Sequence, residues 1–344
     1  MTDRKIKALE ILANGTFIPA TPLALTEERK FDDAQQRKLI NYFLDAGVGG
    51  IATAVHTTQF EIRDPEVNLF DTILKTVIEE VSAYEEKTGK VIVRVAGACG
   101  KIEQAVKEAE LAKAYGYDAV LLSPGGLKDF DEDYLIERAK AVAKVMPVIG
   151  FYLQTAVGGR HFTYNFWERF CAIDNVVAIK CASFNRYSTF DVVRACALSP
   201  RADKIALYTG NDDNIVIDLL TDYKFTVDGK TYSKRFIGGL LGHWSCWTAT
   251  AVKLYHKLRA DADKGEITAE HLTLAAEVTD ANAAFFDTAN DFKGCIAGVH
   301  EVLRRTGAMK NILCLNPNET LSPGQMEEID RVYKMYPHLH EFDN

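Results

Sequence analysis

A lysine closes the apolar run Val176-Val177-Ala178-Ile179-Lys180. Such a run describes a strand buried on both faces, and lysine is rarely buried there without a partner or a task. In water an ammonium of pKa ~10.4 is neutral in only about one molecule in 2,500 at pH 7. An apolar setting lowers that pKa and frees an amine that attacks carbonyls. The segment alone allows two readings. Either the ammonium reaches solvent or a carboxylate from a strand end, or the amine is a nucleophile.

What must position Lys180 is a series of short β-branched runs separated by helical patterns. Eight such runs are present, at residues 16–23, 50–55, 91–96, 119–123, 148–153, 176–182, 204–209 and 236–241. Between them, apolar residues recur at three- and four-residue spacing, as in 34–46, 104–114, 132–145 and 188–198. Eight β/α units predict an α/β fold of the TIM (β/α)8 barrel type over residues 1–260, with a C-terminal helical extension over 261–344 packed on the barrel. A doubly wound sheet would need neither eight units nor such even spacing. The polar insert 221–234, with Asp228-Gly229 as its turn, predicts a surface hairpin.

Composition narrows the partners. The chain has 344 residues, 47% of them hydrophobic, and a formal net charge of -8. With no basic block, a nucleic-acid or anionic-membrane surface is not expected, and a small-molecule partner is. No stretch of about 18 uninterrupted apolar residues occurs, and the N-terminus leads into a mixed helix, so a cytoplasmic protein is the expectation. Seven cysteines without a C-x-x-C pair predict reduced thiols. His338 and His340 have ligand-like spacing but no third ligand nearby in sequence, and no metal or other cofactor is expected.

In a TIM barrel the reacting groups gather where the strands end. Those positions are His56-Thr57-Thr58-Gln59, Tyr152, Lys180, Gly210-Asn211-Asp212-Asp213 and Gly242-His243-Trp244. Strand by strand they resemble the dihydrodipicolinate synthase / N-acetylneuraminate lyase family of Schiff-base aldolases, over roughly residues 19–305. Thr21-Pro22, the glycine-rich 46–51 with Thr57-Thr58, Phe151-Tyr152, Val177-Ala178-Ile179-Lys180 and Gly210-Asn211-Asp212-Asp213 carry the likeness. The resemblance implies that Lys180 forms an imine with pyruvate, another 2-oxo acid or a 2-keto-3-deoxy acid. It makes Tyr152 the proton shuttle rather than a core aromatic, and Thr57 and Thr58 the carboxylate donors rather than a cap. Gly210 and His243 join them in substrate binding, and a homotetramer or homodimer is the expected assembly.

Departures from the pattern are equally informative. The family's Gly-Thr-Thr-Gly-Glu reads His56-Thr57-Thr58-Gln59-Phe60, and Pro124-Gly125-Gly126-Leu127 stands where many members have an aromatic pair with a tyrosine that crosses between subunits. No arginine follows Tyr152 at the usual place for a second carboxylate, although Arg160 is near in sequence. His56 or His243 could supply the missing acid/base group, or merely hydrogen-bond a carbonyl. The expected activity is a Schiff-base lyase, an aldolase or a dehydratase. A non-catalytic ligand-binding relative and a metal-dependent barrel hydrolase are the alternatives.

Overall fold

The computed structural model describes residues 2–341. Eight parallel strands form the expected barrel: β1 (Phe17–Pro19), β2 (Gly50–Thr53), β3 (Val93–Ala98), β4 (Ala119–Leu122), β5 (Val148–Leu153), β6 (Val176–Ala182), β7 (Ala206–Thr209) and β10 (Phe236–Leu241). Pairing runs β1-β10-β7-β6-β5-β4-β3-β2, and a parallel bridge between Ala20 and Ala52 joins the ends into a ring. Strands β8 (Tyr223–Val227) and β9 (Lys230–Lys234) make the hairpin expected from the polar insert. Asp228 and Gly229 both take positive φ, 51° and 76°, which suits the right-handed twist of a two-residue turn.

Around the barrel lie α2 (Asp33–Ala46), α3 (Phe70–Thr88), α4 (Ile102–Ala114), α5 (Glu132–Ala143), α6 (Tyr164–Cys171), α7 (Arg186–Leu198), α8 (Ile215–Leu220) and α9 (Thr248–Lys264). Four of them start on a side chain that accepts the main-chain N–H three residues on: Asp32, Asp131, Thr163 and Asn185. Each such cap contributes about 1 kcal/mol. Helix α1 (Asp3–Asn14) precedes β1 and plugs the barrel floor, where the Tyr208 hydroxyl donates to the Leu12 carbonyl at 2.7 Å.

The strands are buried on both faces, as parallel strands sandwiched by helices must be. Ile18, Val95, Leu121, Ile149, Phe151, Ala178, Tyr208 and Leu240 fill the interior, and a second apolar layer lies between strands and helices. After the barrel come α10 (Ala269–Phe285), α11 (Cys295–Arg305) and α12 (Gln325–Met335). They share one apolar core with β1, β10 and α9, and α9 itself runs past residue 260 to Lys264. No described helix is long and apolar enough to cross a membrane.

Candidate active site

Lys180 enters the barrel because strand side chains alternate. Ala178, Lys180 and Ala182 face inward from β6, while Ile179 and Cys181 face the helices. The lysine is 8% exposed and, among the described residues, has no ion pair within 4 Å. Its ammonium lies 4.4 Å from the centroid of the Phe151 ring, the register partner of Lys180 on β5. Burial lowers the amine to about pKa 8 against the opposing pull of the Asp212 carboxylate. Its stem runs over Gly210, where an added Cβ would sit 2.7 Å from Lys180 Cε and 2.8 Å from Ala182 Cβ. The glycine is required by close approach.

Asp212 faces Lys180 from the loop after β7. Its Oδ1 accepts the His243 main-chain N–H at 2.9 Å, and Asn282 Nδ2 donates to its carbonyl at 2.7 Å. Burial raises this carboxyl to about pKa 7, even with Lys180 favouring the charged form. The loop is held from beneath by Asp218 on α8, fully buried, which accepts from Thr209 Oγ1 (2.7 Å), Asn211 Nδ2 (2.9 Å), Arg186 (2.9 Å), Asn214 (2.9 Å) and the Tyr223 hydroxyl (3.2 Å).

On the opposite side, residues 56–58 form a 3-10 turn after β2. His56 and Thr57 line the cavity. Burial and the Lys180 charge depress the imidazole to about pKa 4, so it is neutral at pH 7. The Thr57 hydroxyl donates to the Ala20 carbonyl at 2.9 Å and that of Thr58 to the Thr21 carbonyl at 2.7 Å, so both stitch this turn to β1. The Gln59 side chain accepts the Leu315 N–H at 2.6 Å and ties the C-terminal segment to the barrel rim.

Three expected site residues are not brought to the amine. Tyr152 points the other way: its hydroxyl accepts the Phe162 N–H at 3.4 Å, and its ring stacks on Trp167 at 5.6 Å. With Phe151 facing in, the next side chain on a strand must face out. Thr58 does not line the cavity. His243 is 3% exposed and also lies outside the cavity wall, its Nδ1 at 2.6 Å from Asn282 Oδ1. Because the Asn282 amide donates to Asp212, its oxygen accepts from the imidazole, and His243 braces the loop. Arg160 does not supply a substrate cation either; it turns its guanidinium to the carbonyls of Leu127 and Phe130.

Lys180, His56, Thr57 and Gly210 thus share a cavity of about 60 Å³ with Asp212, and among the described residues no tyrosine lines it. Apart from Gln154, the remaining wall is apolar: Phe151, Leu153 and Val157 from β5 and its loop, Phe184 after β6, Phe286 and Phe292 between α10 and α11, and Cys295 at the head of α11. Sequence reading names Phe151 and Asp212 within motifs without giving either a role, and misses this downstream wall. Parity counted from Lys180 across the β5–β6 register would have found Phe151. An outer cleft of about 420 Å³ shares His56, Val157 and Phe292 with the cavity and leads outward past Glu61, Asp64, Asp291, Lys293 and Glu319. His338 and His340 serve Glu277 and the Tyr333 carbonyl separately, and no group of three or more metal-ligating side chains gathers among the described residues.

Comparison with known proteins agrees with this architecture. The 4-hydroxy-tetrahydrodipicolinate synthase of Clostridium novyi is 26% identical over 192 residues, which cover 55% of this chain and 60% of that protein. A dihydrodipicolinate synthase structure from Oceanobacillus iheyensis superposes with a TM-score of 0.74 at 15% identity, over 97% of this chain and 99% of that one. An N-acetylneuraminate lyase structure from Fusobacterium nucleatum gives 0.71 at 14% identity, over 94% and 99%. The model of the dihydrodipicolinate synthetase family matches residues 14–222, a stretch that contains Lys180, Gly210 and Asp212, and the chain belongs to that family.

Proposed function

We propose that the protein is a Schiff-base lyase that acts on a 2-oxo acid such as pyruvate or on a 2-keto-3-deoxy acid. The observation that carries this reading is the Lys180 amine, inside the barrel, depressed to about pKa 8 by burial and facing a cavity. At pH 7 about one tenth of such an amine is neutral, about 300-fold more than at its ordinary value of 10.5. The neutral amine attacks the ketone, water leaves, and the protonated imine becomes the electron sink for making or breaking a C–C or C–O bond further along the substrate. The main-chain N–H groups at the start of the 3-10 turn meet the 2-oxo acid's carboxylate, while the Thr57 hydroxyl holds that turn to the Ala20 carbonyl. Family membership supports a homotetramer or homodimer as the working assembly.

The test is reductive trapping. Pyruvate with borohydride is expected to add one covalent increment at Lys180 and none in Lys180→Ala. Absence of labelling across a panel of 2-oxo acids, or labelling of another lysine, refutes the reading and leaves the non-catalytic binder in its place.

A further inference from the structure

We propose that the Asp212 carboxylate carries the proton on and off C3 of the imine. This inference rests on the Schiff-base reading of Lys180. The reaction requires an acid/base group at the carbon next to the imine, and the wall offers few. Phe151 occupies the position beside the amine, Tyr152 faces the helices, and the Tyr208 hydroxyl is turned to the barrel floor. The titratable side chains lining the cavity are Lys180, His56, Asp212 and Cys295.

Asp212 is the one among them that is both able to exchange a proton at neutral pH and held in place. One oxygen is fixed by the His243 main-chain N–H, no side chain among the described residues hydrogen-bonds to the carboxylate, and the main chain beneath is clamped by Asn282. The groups that face it are Lys180 from β6, His243 after β10, Cys295 at the head of α11, His56 across the cavity and its neighbour Asp213. The step balances on this one group. The carboxylate takes a C3 proton; the C–H pair becomes the C2–C3 double bond; the imine π pair moves to nitrogen, leaving a neutral enamine and a carboxylic acid. Reversal returns the proton to C3. A carboxyl raised by burial to about pKa 7 is matched to both directions at pH 7, whereas His56, depressed to about 4, is a poor acid store beside a cation.

The experiment follows deuterium exchange into the methyl group of pyruvate by proton NMR, alongside borohydride trapping, in the full-length protein. In wild type, exchange per trapped imine is expected to rise with pH around a midpoint near 7. Asp212→Asn keeps the His243 contact, and is expected to trap pyruvate on Lys180 yet exchange about 10²–10⁴-fold more slowly. His56→Asn is expected to lose less than Asp212→Asn. Undiminished exchange in a trapping-competent Asp212→Asn, or a larger loss in His56→Asn, overturns the inference while leaving the Schiff base intact. A flat wild-type profile between about pH 5 and 9 overturns it without recourse to any variant. Failure of wild type to trap pyruvate removes the Schiff base, and this inference with it.

Discussion

Phe151 and Lys180 are register partners on adjacent parallel strands, and the ammonium rests 4.4 Å from the ring centroid. The ring's negative face partly offsets the cost of burying the cation, by about 0.5–2 kcal/mol. It also fills the place beside the amine with a side chain that transfers no proton, so the tyrosine next to it in sequence is free for packing.

Tyr152→Phe is therefore expected to leave turnover within about twofold and to cost at most about 1 kcal/mol, since its hydroxyl makes one long hydrogen bond. Steady-state kinetics and thermal melting check both. A slowing beyond about tenfold would return the hydroxyl to the chemistry.

Lys180→Met should stabilise the fold below pH 8. A lysine whose folded pKa lies below its unfolded 10.5 penalises folding fully while both states are protonated, and the penalty fades as pH rises from about 8 to 10.5. The variant is expected to gain about 1–3 kcal/mol at pH 7 in urea unfolding. That advantage should shrink towards pH 10. An advantage independent of pH would show that packing, not charge, is its source.

Gly210→Ala is expected to slow imine formation by about 10–10³-fold, because the new methyl would occupy the space of the lysine stem and a misplaced nucleophile loses its alignment. Trapping rate against pyruvate concentration reads this directly. Unchanged trapping would mean that the stem can shift without loss.

Pyruvate with aspartate semialdehyde is expected to turn over at least about 10²–10³-fold less well than the best neutral aldehyde partner. The incoming amino acid's carboxylate would pass Glu61, Asp64, Asp291 and Glu319 and meet a wall with no arginine among the described residues, Arg160 being committed to the carbonyls of Leu127 and Phe130. Comparable rates would show that Lys293, at the cleft, serves as the cation.

How much of this was legible in the chain depends on what each residue had to contrast with. Lys180 stood out because a charge at the end of an apolar run demands a reason, and the hairpin turn stood out because Asp228-Gly229 suits two positive φ angles. The orientation of β5 did not, since Val148-Ile149-Gly150-Phe151-Tyr152-Leu153 is buried throughout and carries no polar beat to mark its inner face. His243 resembled a catalytic group because its partner, Asn282, lies 39 residues away on a helix with no motif of its own. Phe286, Phe292 and Cys295 were invisible for the same reason: only the fold brings them to the lysine.

Lys180, His56 and Asp212 lie between residues 56 and 212, whereas the cavity wall is completed by Phe286, Phe292 and Cys295. Part of the wall is thus carried by a stretch of chain well separated from the lysine strand. Substitutions at Phe286 or Phe292 would reshape the cavity while leaving Lys180 and Asp212 in place.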